Sequence, residues 1–175
     1  MELPNSGYLF TLATLAITFV GFTAIVVILR QSVGSSFLPI DAVVARLLMV
    51  WGFAVTYGSL MPVALAAFEL KAATIWRVSS VVIGVALLAI NLGYPLLRHR
   101  ATGEATPLHV WLHVGAAIAI VLLLGLDAFD LFPRVAPAIY IAALTLYLVQ
   151  ASFAFVQHFG FMLEDMGSNR GKPSH

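Results

Sequence analysis

YLFTLATLAITFVGFTAIVVIL, residues 8–29, decides the fold. It holds no Asp, Glu, Lys or Arg, and about 20 apolar residues is what a helix needs to cross the hydrocarbon of a bilayer. Four more charge-free stretches follow, at 47–68, 78–97, 110–126 and 135–157. The nine Lys and Arg and eight Asp and Glu residues of this 175-residue chain all fall between or beyond these cores. The pattern predicts an all-α integral membrane protein, a five-transmembrane-helix bundle with short loops, whose partner on every side is the lipid bilayer.

Composition agrees. The chain is 61% hydrophobic and 10% charged, against about 25% charged for an ordinary soluble domain. A net charge of +1 leaves no basic stripe to neutralise phosphates, which excludes nucleic acid as a partner. Without cysteine there is no disulfide, thiolate metal site or thiol nucleophile. The opening Met-Glu-Leu-Pro-Asn-Ser-Gly carries an acid and no basic residue, unlike a secretory signal, so the first helix is expected to remain as an anchor.

Working outward, helices are expected over about 6–31, 41–69, 72–98, 107–130 and 135–163, with a polar tail at 164–175, all in one polytopic domain. Asp41 is the expected N-cap of the second helix, and Thr106 followed by Pro107 the start of the fourth. Pro62 and Pro95 mark candidate kinks, because proline leaves the carbonyls of Gly58 and Asn91 without their helical donors. Trp76, Trp111, Tyr8 and Tyr94 stand near the borders, as headgroup anchors or as packing. Lys71, Arg77 and Arg134 lie on one side, against Arg30, Arg46, Arg98, Arg100, Arg170 and Lys172 on the other. The richer side is normally cytoplasmic, which places the N-terminus outside and the C-terminus in the cytoplasm. A short cysteine-free polytopic chain fits a bacterial inner membrane.

Candidate functional residues fall in four groups. His109 and His113 are one helical turn apart and share a face. An antiparallel fifth helix returns His158 to the same border, near His99. Such imidazoles suit zinc or copper, or haem if His158 opposes one of the pair. They equally suit a headgroup interface. Asp127 and Asp130 stand at the opposite border and read as solvated. Thr11, Thr14 and Thr18, with Gly21, form a small, hydroxylated stripe that suits either close helix packing or the lining of a pore between copies. Asn91 and Gln150 are intramembrane amides, lining a hydrated path or bonding to neighbouring helices. Small-residue pairs such as Gly52/Thr56 and Ala54/Gly58 point to a tightly packed bundle.

No phosphate loop, nucleophile elbow or zinc-protease motif is present, so no enzyme is expected. The sequence reads as a homo-oligomeric channel for passive ion or small-solute conduction, pore-lined by Thr11, Thr14, Thr18, Asn91 and Gln150. The alternatives are an accessory or assembly subunit of a larger membrane complex, and a metal- or haem-binding protein using His109, His113 and His158.

Overall fold

The computed structural model describes residues 5–32, 38–129, 131–132 and 134–169, with side chains to residue 159. It contains five helices, α1 (Ser6–Ser32), α2 (Pro39–Ala66), α3 (Ala72–Thr102), α4 (Leu108–Ala128) and α5 (Ala136–Asn169). No strand occurs among the described residues. All five helices are long and apolar enough to cross a membrane, as in a multi-pass membrane protein.

Local chemistry sets the helix ends, and several differ from expectation. α2 begins one turn earlier than the sequence suggests: Leu38 is the N-cap, Pro39 takes the first helical position, and Asp41 sits at the third. From there Oδ2 of Asp41 accepts the Leu38 backbone N–H at 3.1 Å, satisfying a donor that the first turn leaves over. α3 runs past Arg98–Arg100 to Thr102, because it is Gly103 that adopts the left-handed conformation (φ 70°) closing this helix, its N–H bonding the carbonyl of His99. Thr106 does not cap α4. Pro107 is the N-cap, without a side-chain hydrogen bond. α5 continues as helix to Asn169, through much of the stretch expected to be a loose tail. Pro62 and Pro95 both lie inside continuous helices.

The distribution of polarity reverses that of a soluble bundle. Phe10, Leu15, Phe22, Ile28, Tyr57, Val85, Leu122 and Phe153 are exposed, whereas Asp41, Ser59, Ser79, Ser80, Asn91 and Asp127 are buried. Water would penalise both halves of that arrangement, while lipid favours apolar exteriors and drives polar groups to pair inside. Buried apolar side chains form one contiguous cluster centred on Trp51, Leu87, Tyr140, Leu144 and Tyr147.

Glycine sets the closest approaches. A Cβ at Gly52 would overlap Val20 Cγ2 and press on the Ala16 carbonyl, so α1 and α2 meet here backbone to side chain. At Gly58 an added Cβ would lie 3.1 Å from a Leu144 methyl of α5. Trp76, an anchor candidate, is instead buried against Tyr140 with ring centroids 5.6 Å apart. Trp111 and Tyr8 are exposed at the borders.

Arg30 late in α1, Asp41 at the start of α2 and His158 late in α5 meet directly. The ends they occupy, with the α3–α4 connection, therefore form one rim, called here the second rim. The first rim carries the start of α1 and the α2–α3 and α4–α5 connections.

Candidate functional site

Each of the four helices α2–α5 contributes one face to a cavity of about 520 Å³ in the half of the bundle nearest the second rim. Its apolar wall comes from Val44, Leu47 and Leu48 of α2, Val110 and Val114 of α4, and Ala154 of α5. Spacings of three and four turn these side chains inward together. The polar wall is built the same way: Asn91, Tyr94 and Arg98 descend one face of α3, His109 and His113 one face of α4, and Gln157 and His158 adjoin on α5. Trp51 also lines the cavity. His109 is exposed, which puts the mouth at the start of α4.

Hydrogen bonds hold this wall in place. Nε2 of His113 donates to Oε1 of Gln157 at 3.0 Å, and Nε2 of Gln150 donates to the His113 carbonyl at 2.7 Å. The two bonds pin α4 to α5 around one residue. Asn91 donates through Nδ2 to the Leu87 carbonyl and to the Tyr147 hydroxyl, both at 2.7 Å. Tyr147 in turn packs edge-on against Trp51, with centroids 5.6 Å apart.

Charge is concentrated on the rim side. Nη1 of Arg30 lies 2.8 Å from Oδ2 of Asp41, a carboxylate whose side chain is 2% exposed. Nε2 of His158 is 3.4 Å from Oδ1 of Asp41, close enough for attraction but without hydrogen-bond alignment. Arg98 lies within electrostatic reach of His158 but meets no carboxylate at salt-bridge distance among the described residues. Its Nε, like Trp51 Nε1, is buried and has no hydrogen-bond partner among them.

The sequence-derived residues are thus partly gathered and partly scattered. His109, His113 and His158 do line one cavity, but they do not converge on one point. His113 Nε2 is engaged by Gln157, and His158 Nε2 faces Asp41. Among the described residues no group of three His, Asp or Glu side chains is placed to hold a metal ion. His99 is separate, its Nδ1 at 3.1 Å from the Glu104 carbonyl. The five pore-lining candidates do not share a surface. Thr11, Thr14 and Thr18 are exposed on the outside of α1, Asn91 is buried in the cavity wall, and Gln150 lies between α5 and α4.

Asp127 is not solvated. It is 4% exposed and accepts from Oγ of Ser80 at 2.5 Å, because the α4 face that carries it is the face that packs inward, below Val114, Ala117, Ile120 and Leu124. Those apolar side chains separate it from the cavity. Asp130 lies outside the described residues. Sequence reasoning missed Arg30, Asp41, Trp51 and Arg98. The count of basic residues did set Arg30 and Arg98 on one side, without giving either a role in a site.

No protein-family model, curated protein or solved structure matches this chain.

Proposed function

We propose that this chain is a multi-pass membrane protein that binds a small amphiphilic molecule in the second-rim cavity, as a binding protein and not as an enzyme. The observation that carries the reading is the make-up of the cavity wall: aliphatic Val44, Leu47, Leu48, Val110, Val114 and Ala154 beside hydrogen-bonding Asn91, Arg98, His109, His113 and Gln157. Small-molecule sites are typically clefts of about 300–1,000 Å³, mostly apolar with a few placed polar groups. Buried donors at Trp51 and Arg98 with no partner among the described residues support it further, since such groups are costly unless something accepts from them. Among the described residues no Ser or Thr lines the cavity, so its histidines have no such hydroxyl to activate. Lys and Arg are in excess at this rim, which supports a cytoplasmic mouth and an outside N-terminus.

Trp51 gives a direct test. In a W76F/W111F background, which leaves Trp51 as the sole indole, a brominated long-chain alcohol should quench fluorescence saturably. Ala154→Phe, which fills the cavity, should abolish the saturable part. Quenching that rises linearly with the alcohol and ignores Ala154→Phe would refute the reading.

A homo-oligomeric channel, or a subunit docking on another membrane protein, is the second reading, and it draws on α1. Thr11, Thr14 and Thr18 are exposed, and an added Cβ at Gly7 or Gly21 meets nothing within 4 Å. A smooth outer face of this kind suits close approach of another helix. The three hydroxyls donate to the carbonyls of Gly7, Phe10 and Thr14, so they would offer a pore only acceptor lone pairs. A monodisperse oligomer in mild detergent whose conductance changes in Thr14→Leu would support the channel. A monomer would remove it.

A further inference from the structure

The cavity's polar wall has a sign. On α3, Arg98 presents a fixed positive charge that has no carboxylate at salt-bridge distance among the described residues, and its Nε is a buried donor without a partner. His109, His113 and His158 face the same space. Among the described residues the buried acid at this rim, Asp41, is already paired with Arg30 at 2.8 Å. It also stands 3.4 Å from His158. An arginine in the wall of an apolar bundle is costly unless an anion or a set of acceptors meets it, and its planar fork matches carboxylate and phosphate oxygens.

We propose that Arg98 is an anion receptor, and that the cavity takes the carboxylate or phosphate head of a single-chain amphiphile, with the tail against Leu47, Leu48 and Val114. This rests on the reading of the cavity as a binding site and adds to it the charge of the ligand. His109 at the mouth is a second donor to the same head. His113 is not, because its Nε2 is held by Gln157.

Oleate, oleyl alcohol and inorganic phosphate separate the possibilities, each titrated against the full-length protein in neutral detergent by microscale thermophoresis. Oleate and the alcohol share a tail and differ in charge. Oleate should bind more tightly than the alcohol by roughly ten- to a hundred-fold, the worth of a charge-assisted hydrogen bond. Arg98→Gln should erase that preference, and Arg98→Lys should keep much of it, which also answers any loss of folding in the glutamine variant. Equal affinity for oleate and alcohol would overturn the anion receptor and leave the binding site standing, as would a preference that survives Arg98→Gln. Failure of all three probes would remove both. Binding of phosphate and oleate but not of the alcohol would uphold the anion receptor, assign its ligand to the aqueous phase or to a charged head alone, and refute the tail site.

Discussion

The hydroxyl of Tyr140 on α5 donates to the carbonyl of Gly58 on α2 at 2.7 Å. Gly58 is four residues before Pro62, so its carbonyl is the one that the missing proline N–H leaves over. A side chain from the last helix thus completes the backbone of the second. Away from water an unpaired carbonyl is expensive, and this is how a proline is tolerated inside a membrane-spanning helix.

Tyr140→Phe should therefore destabilise the protein by about 1 kcal/mol, the scale of an interhelical hydrogen bond in a membrane protein. Pro62→Ala should recover most of that loss in the Tyr140→Phe background, because alanine restores the helical donor. Unfolding in mixed micelles with increasing SDS checks both. Equal stability of the wild type and Tyr140→Phe would contradict the assignment.

Breaking the rim ion pair should cost more. Removing one partner of a buried pair leaves a charge without compensation, at about 3–5 kcal/mol. Arg30→Gln should approach that loss, because it strands the Asp41 carboxylate at 2% exposure, and Asp41→Ala should fall below it, because the Arg30 left behind is partly exposed (16%). In a double-mutant cycle the Arg30→Gln/Asp41→Asn protein should be more stable than the sum of its singles.

Two glycines should respond oppositely to the same change. Gly52→Ala places a methyl group on Val20 and the Ala16 carbonyl and should cost roughly 1–3 kcal/mol, as overpacking usually does. Gly115→Ala meets nothing within 4 Å and should be neutral or slightly stabilising, since alanine is the better helix former. Thermal unfolding in one detergent compares them.

Asn91 and Tyr147 should act as a unit. Asn91→Leu and Tyr147→Phe each remove the 2.7 Å bond between them. Together they should cost less than the sum of the separate losses. Strict additivity in the unfolding free energies would mean that the bond carries no coupling.

Much of the architecture was legible in the sequence, for a physical reason. A span must be free of charge along its length, so the five stretches stand out without knowledge of their contacts. Helix ends were less legible. Gly103, rather than the preceding basic run, stops α3, and Asp41 acts from the third position of α2 and not from its cap. The histidines were placed on one rim by periodicity and helix count alone, and they line one cavity. Their partners were not, because each comes from a different helix: Gln157 of α5 meets His113 of α4, and Asp41 of α2 meets His158 of α5. Asp127 misled in another way: lying near a helix end suggests solvent, but its position among Ile120 and Leu124 on one face points it inward. The Tyr140–Gly58 bond was half visible, since Pro62 announces an orphan carbonyl without saying which side chain will reach it.

The Arg30–Asp41–His158 contact also bears on biogenesis. Arg30 and Asp41 belong to α1 and α2, which are made before α5, where His158 lies. Throughout insertion the nascent chain carries that ion pair without its third member. The cavity behind it gains its α5 wall only once the other four helices have been made, so a chain truncated before α5 would display an unfinished socket to the lipid.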